Sequence, residues 1–458
     1  LLEIFFDKGT LIVKQYNCEF NKYLLFFKWD DRILAYRAPA YHYRKFILSL
    51  RENKISYLDN AKDFIPTEFP IVTYLNPRNY QNEALNSWIS YGSLGVITLP
   101  TGAGKTILGI LAISKIQRPT LIHVPTIDLM TQWFEVLKKY FNRPIGLLGG
   151  GYNIIEDITV ATYDSALIHV TQKGNKFGFL IFDECHHLPS EQMQYTAISS
   201  IAPFRLGLTA TPERSDGRDK RMYELCGPLC YQIDIKSLEG VTLSPYEVIT
   251  IEVEMSLNEK LIYDEARAIY LKFLKKNNIN FSIPNAWQNF LRMSCKSEEG
   301  KAAFNAYMKQ KKISLTTENK FNEVWSIITK HRYDKIIIFT QDNETAYNIG
   351  KKFLLPVITH HTRVKEREYF LNSFREGKFC ILVTSKVLNE GVDVPDANVA
   401  IIVSGSGAVR EHVQRLGRIL RAKEGKKAYL YELISAGTGE YFVNKRRKMH
   451  SAYQKRTS

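Results

Sequence analysis

The 458 residues carry 62 lysines and arginines against 47 aspartates and glutamates, a formal charge of +15, and 45% of them are hydrophobic. A chain of this length needs two or three cores rather than one. No apolar run is long enough to span a bilayer, which excludes an integral helical membrane protein, and the basic balance predicts a polyanionic partner.

The six cysteines are scattered without paired zinc-like spacing, so reduced thiols and no metal cluster are expected. Residues Leu1–Asp7 lack a basic n-region and a cleavage site; no secretory signal is read, and a cytoplasmic location is expected. Residues 1–65 read as a small α+β unit. Leu11–Val13 and Tyr23–Phe27 are strand-like and Tyr41–Leu50 is patterned as a helix, with Pro66, Pro70 and Pro77 marking the exit.

Residues 66–244 alternate short apolar strands (Gly95–Leu99, Thr120–Val124, Ile158–Ala161, Phe179–Phe182, Leu206–Leu208) with helical stretches. Such runs imply a parallel sheet covered on both faces. Residues 245–458 hold a second series, Lys335–Phe339, Cys380–Val383, Val399–Val403 and Ala428–Tyr431, interrupted by a helical insertion over about 257–330. The expected fold is α/β, with two tandem parallel-sheet domains, a small N-terminal domain and a helical insertion. The basic tail, Lys445–Lys448 with Lys455 and Arg456, reads equally as a phosphate contact or a solvated terminus.

The chemistry begins at Thr101-Gly102-Ala103-Gly104-Lys105-Thr106, after a strand and before the apolar helix Ile107–Ile116. Backbone N–H groups at such a helix N-terminus can wrap a β-phosphate, and glycines let the main chain approach it. Lys105 would reach the β- and γ-phosphates and Thr106 would hold Mg²⁺, so the cofactors expected are ATP and Mg²⁺. Leu99 stands where the strict phosphate-loop pattern has glycine, so the match is to a shorter variant of that loop. Asp183 and Glu184 follow the strand Phe179–Phe182, which places them at the carboxyl edge of the sheet. Asp183 is expected to bind the metal and Glu184 to orient and deprotonate the attacking water. His186 is expected to link this site to the second domain through hydrogen bonds, with Thr209 and Thr211 of the Thr-Ala-Thr run and Gln414 in the same coupling set. Arg415, Arg418 and Arg421 recur every three residues on one helical face; Arg418 and Arg421 are the candidate arginine fingers. Arg78 and Gln81 are placed near the adenine: Gln81 offers a donor and an acceptor, with Tyr80 or Arg78 to stack, although Tyr80 fits a packing role equally well.

These motifs, in this order, resemble superfamily 2 helicases, and within them the XPB-type DNA helicases and related phage fork-remodelling enzymes. The resemblance runs from about Tyr74 to Arg421 and is carried further by His123–Trp133, Ala161–Tyr163, Arg205–Arg214 and Thr384–Asp393. The N-terminal unit, including Arg37–Tyr41, is similar to the small DNA-recognition domain that precedes the motor in XPB-type proteins. The resemblance implies two RecA-like domains and a helical thumb. It also implies that Thr126, Thr162 and Thr384 lie along a nucleic-acid track, and that Gly391 and Asp393 contact the nucleotide or couple it to that track. Hydroxyls and N–H groups after strands can grip phosphates without reading bases. Family members often carry Arg-Glu-Asp after Thr-Ala-Thr; here the residues are Arg214-Ser215-Asp216, so the middle charge is lost.

The expected activity is that of an ATP-dependent 3′→5′ DNA helicase. Its expected partners are forked or branched DNA and no membrane, and the chain is expected to act as a monomer in repair, recombination or replication. Duplex translocation without unwinding, an RNA substrate, and a non-catalytic DNA-binding scaffold are the alternatives.

Overall fold

The computed structural model describes residues 2–14, 24–212, 217–238, 244–281, 283, 285–385, 397–404 and 427–441. It divides into two compact units, the first running to Ser237 and the second beginning at Leu238. Among the described residues no helix is long and apolar enough to cross a membrane.

The first unit opens with β1 (Leu2–Asp7), β2 (Thr10–Lys14), β3 (Lys28–Asp30), β4 (Ala35–Pro39), α1 (Tyr43–Glu52) and β5 (Tyr57–Asn60). The sheet runs β3-β4-β2-β1-β5, antiparallel except for the β1–β5 pair. Leu2, Ile4, Leu11 and Val13 alternate inward and meet Phe46, Ile47 and Leu50 of α1. Of the run expected to form a strand at Tyr23–Phe27, residues 24–27 form a corner, closed by Phe27 N–H donating to Leu24 O at 2.9 Å. Leu24 and Phe27 are buried while Leu25 and Phe26 are exposed, and that spacing suits a turn rather than a pleat.

The core of this small domain includes Ile201 from the next domain. Arg44 donates to Pro203 O at 2.6 Å and lies over the Phe204 ring. Asp63 N–H donates to Asn175 O, and the Asn175 amide donates to Ala61 O. The small domain is thus seated on the motor domain that follows.

That motor domain comprises α2 (Asn79–Ser90), β6 (Leu94–Thr98), α3 (Lys105–Ile116), β7 (Thr120–Val124), α4 (Ile127–Tyr140), β8 (Ile145–Gly149), β9 (Tyr152–Ile154) and β10 (Ile158–Thr162). It continues with α5 (Tyr163–Lys173), β11 (Phe179–Asp183), α6 (Gln194–Ile198), β12 (Phe204–Thr209), α7 (Asp219–Cys226) and β13 (Leu229–Gln232), and the short α8 (Ile235–Leu238) falls at the division between the two units. The sheet order is β13-β6-β12-β11-β7-β10-β8-β9, parallel throughout apart from β9, which returns as a hairpin on β8. Strands β7, β10 and β11 are buried along their whole length, which explains their unbroken apolar runs.

The second unit carries β14 (Tyr246–Val253), α9 (Leu257–Lys276), α10 (Ala286–Ser294), α11 (Glu298–Leu315) and α12 (Glu318–Lys330). After these come β15 (Ile336–Phe339), α13 (Asn343–Phe353), β16 (Val357–Ile358), α14 (Val364–Arg375), β17 (Ile381–Thr384), β18 (Val399–Ile402) and β19 (Ala428–Ser435). Its sheet is parallel in the order β14-β19-β18-β15-β17-β16. The helical insertion is shorter than its expected span of about 257–330. Helices α9–α11 close around their own aromatic core of Phe273, Ile279, Phe290 and Ala303, whereas Val324, Ile327 and Ile328 of α12 pack on the motor sheet. Helix α12 therefore belongs to the sheet domain.

Candidate active site

In a parallel sheet every strand delivers its following loop to the same edge, and here the carboxyl edge divides into two halves. At one half, β6, β12 and β11 lie side by side and end at the phosphate loop, Thr209 and Asp183. Gly102 and Gly104 take left-handed φ values of 83° and 82°, which only glycine adopts without strain. A Cβ on Gly104 would also lie 2.4 Å from Gln81 Nε2.

Lys105 Nζ meets Glu184 Oε1 at 2.8 Å. Asp183 is 3% exposed; its Oδ1 accepts from Glu184 N–H at 3.0 Å and its Oδ2 from the Trp133 indole at 2.7 Å. Burial and the neighbouring Glu184 carboxylate push the Asp183 pKa above its ordinary value, opposed by Lys105 and the Trp133 hydrogen bond. Glu184 itself has a left-handed backbone, φ 47°, the kind of local strain that a fixed surrounding structure must hold in place.

Behind Glu184, His186 is fully buried. Its Nδ1 lies 3.5 Å from Glu184 Oε2 and 3.1 Å from Thr209 Oγ1. Because the Thr209 hydroxyl donates to Thr211 O at 3.1 Å, it accepts from His186, so Nδ1 carries the proton. Thr211 N–H closes the turn back on Thr209 Oγ1 at 3.2 Å. The Lys105–Glu184 pair and the bonded set of His186, Thr209 and Thr211 thus meet at the 3.5 Å approach of Glu184 to His186.

Tyr80 and Gln81 are turned on the phosphate loop, and Arg78 bonds to both of them. The Gln81 amide donates to Ala103 O and Gly104 O, both at 3.2 Å, and its oxygen accepts from Arg78 N–H in a helix-capping pair. Tyr80 OH donates to Ala103 O at 2.8 Å and accepts from the Arg78 guanidinium. The donor and acceptor expected to face a base edge are thus engaged by the loop and the helix start, because Gln81 occupies the third helical position and is buried. The Thr101 hydroxyl is buried without a hydrogen-bond partner among the described residues, and it lies in the loop that would wrap phosphate. A nucleotide phosphate fits that orphaned donor and the glycine turns. Thr106 and Asp183 supply hard oxygen ligands, so Mg²⁺ held there would complete its shell with phosphate and water.

At the other half of the edge, β7, β10 and β8 are neighbours. Thr126 caps α4 by accepting from Leu129 N–H, and Thr162 caps α5 by accepting from Ser165 N–H. The turn Gly149-Gly150-Gly151 sits between them: a Cβ on Gly149 would lie 3.0 Å from Thr162 Oγ1, and one on Gly150 3.2 Å from Ile127 Cγ2. Residue patterns assign no role to this glycine turn, and the stretches ending at Trp133 and Tyr163 give those two side chains no individual role, although the Tyr163 hydroxyl donates to Asp183 O at 3.0 Å. Three consecutive glycines were the available signal. In the second unit Thr384 is buried at the end of β17, its hydroxyl donating to Ser385 O at 3.1 Å. Gly391, Asp393, Gln414, Arg415, Arg418, Arg421, Arg214–Asp216 and the basic tail lie outside the described residues.

Three family models match. Residues 4–61 match the Xeroderma pigmentosum group B helicase damage recognition domain, residues 74–214 the type III restriction enzyme res subunit, and residues 298–454 the ERCC3/RAD25/XPB C-terminal helicase. The chain is 40% identical over 422 residues to the DNA 3′-5′ translocase XPB2 of Sulfurisphaera tokodaii, spanning 92% of this chain and 95% of that one. The chain belongs to the XPB family of helicases. A second XPB relative, the DNA 3′-5′ helicase XPB of Mycobacterium tuberculosis, is 32% identical over 81% of this chain and 63% of its own length. The helicase domain of Pyrococcus furiosus Hef shares the fold, with a TM-score of 0.50 at 18% identity, covering 81% of this chain and 98% of that one. Two RecA-like parallel-sheet domains are thus the architecture of this XPB-family chain, as the motif order implied.

Proposed function

We propose that this XPB-family chain is an ATP-driven motor that moves 3′→5′ along DNA and opens it at forks and junctions. The observation that carries the reading is the 2.8 Å contact of Lys105 with Glu184 beside Asp183, at the edge where the phosphate loop also ends. Bound Mg²⁺ supplies charge neutralisation at the transferring phosphoryl group. Lys105 binds the phosphates, Thr106 and Asp183 orient the metal, and Glu184 positions water and takes its proton. Arg418 and Arg421 add positive charge to the γ-phosphate from the second motor domain, with Gly391 and Asp393 at the nucleotide or its coupling path. His186, Thr209, Thr211 and Gln414 pass the state of the nucleotide onward. Thr126, Thr162 and Thr384 serve as phosphate grips on the DNA, and Arg78 and Gln81 support the loop and the nucleotide.

The deciding experiment compares ATPase rates without DNA and with single strands, duplexes, forks and four-way junctions, beside strand-unwinding and triplex-displacement assays. Stimulation by branched DNA with unwinding is expected, and Lys105→Ala should lower the stimulated rate by about 10²–10³-fold. Triplex displacement without unwinding would favour the second reading, a duplex translocase; the Sulfurisphaera relative is a DNA 3′-5′ translocase. No ATPase under any of these conditions would overturn both.

A further inference from the structure

We propose that Trp133 is a positioning residue that carries DNA occupancy at α4 to the metal-binding carboxylate Asp183. The proposal rests on the DNA-stimulated hydrolysis proposed above and names the side chain that transmits it.

Three observations support it. Helix α4 starts at the Thr126 cap and packs its first turn on the glycine loop, with Met130 Cε 3.6 Å from the position of a Cβ on Gly150. Trp133 lies two turns on from the Thr126 cap, about 10 Å along the axis. Its ring is fully buried and its Nε1–H donates to Asp183 Oδ2 at 2.7 Å, across the boundary between the β7 and β11 halves of the sheet edge. The ring has no slack: a Cβ on Gly109 of α3 would stand 2.5 Å from Trp133 Cη2 and 3.1 Å from Cζ3. One indole thus touches the helix that follows the phosphate loop, the helix of the DNA half and the carboxylate between them.

A buried tryptophan is ordinarily a core residue whose N–H finds a backbone carbonyl, and Trp88 is such a case, donating to Arg205 O at 2.9 Å. Trp133 instead spends its only polar atom on a functional carboxylate. A hydrogen bond to an ionised group is short and directional. The carboxylate rotamer therefore follows the indole, and the wedged indole follows α4. A shift of α4 on gripping phosphate moves the Asp183 oxygen that faces the metal.

Packing and hydrogen bonding can be separated by substitution. Trp133→Phe removes the N–H together with the ring atoms that crowd Gly109, and adding Gly109→Ala refills that space. The W133F/G109A protein is expected to melt close to the wild type while its ratio of DNA-stimulated to DNA-independent ATPase falls by at least about fivefold. A second readout needs no turnover. With ¹⁵N-indole labelling, the five tryptophans give five N–H resonances, assigned by single Trp→Phe replacements. Saturating DNA without nucleotide is expected to shift the Trp133 resonance. A double variant with wild-type stimulation, or a Trp133 resonance unmoved by DNA, would overturn the relay. If the double variant fails to fold, the resonance in the wild-type protein decides alone. A wild-type enzyme with no DNA stimulation would instead remove the motor reading on which the relay stands.

Discussion

Single side chains in the first motor domain show how burial shapes the site. Asp183 and Glu184 are adjacent carboxylates, both largely buried, and Lys105 brings its ammonium against Glu184. Neutralising Lys105 removes the cation that offsets this buried carboxylate pair. Below this pair, His123 is fully buried, stacked on Phe182, with Nδ1 3.3 Å from Ile181 O. Burial lowers its pKa from the ordinary 6.5 to about 3. The unfolded chain therefore binds a proton between those values that the folded chain refuses. His123 costs nothing above pH 6.5 and withdraws stability progressively as pH falls toward 3. Chemical denaturation at a series of pH values should show a shallower acid limb in His123→Phe than in the wild type, by up to one proton.

At the level of elements, the helices are placed by caps and by a few buried polar ties. Lys320 of α12 is fully buried; its ammonium donates to Ser314 O at 2.9 Å and Val403 O at 3.1 Å and pairs with Glu440 at 2.7 Å. It thereby joins the end of α11, the end of β18 and the segment after β19, and Ser435 Oγ adds a bond to Ser314 O at 2.6 Å. Removing one member of such a buried pair costs about 3–5 kcal/mol. Lys320→Ala should lose that amount in urea unfolding of the second unit, and Lys320→Met, which keeps the volume, should lose less. Arg205 plays a similar part in the first unit: its guanidinium donates to the carbonyls of Ala197, Ser200, Ala202 and Leu225, gathering the ends of α6 and α7.

Across the first unit as a whole, the N-terminal domain is fixed on the motor through a close backbone approach. Gly9 has φ +79°, and a Cβ there would lie 2.6 Å from Ser199 Cβ and 2.8 Å from Ser199 Oγ. Gly9→Ala should therefore destabilise this junction by about 1–3 kcal/mol, read as a lower melting temperature, and Ser199→Gly in the same chain should recover part of it. The net charge of +15 makes a separate forecast. DNA affinity should fall with salt with a log–log slope of about −0.7 to −0.9 per phosphate neutralised, and a flat response would remove the polyanion reading. The phosphate loop, the Asp183–Glu184 step and the two alternating α/β series were legible without coordinates, because each is written in consecutive residues. Glycines admit the left-handed φ that the loop needs, and an apolar run buried on both faces declares its strand. Other features were decided by packing: the Trp133–Asp183 bond, the turning of Gln81 onto the loop, the corner at Leu24–Phe27 and the assignment of α12 to the sheet. The indole and its carboxylate are 50 residues apart in sequence, and Lys320 and Glu440 are 120 apart. Local sequence settles what a backbone segment can do, whereas the partner of a buried side chain is settled by which elements stack against it.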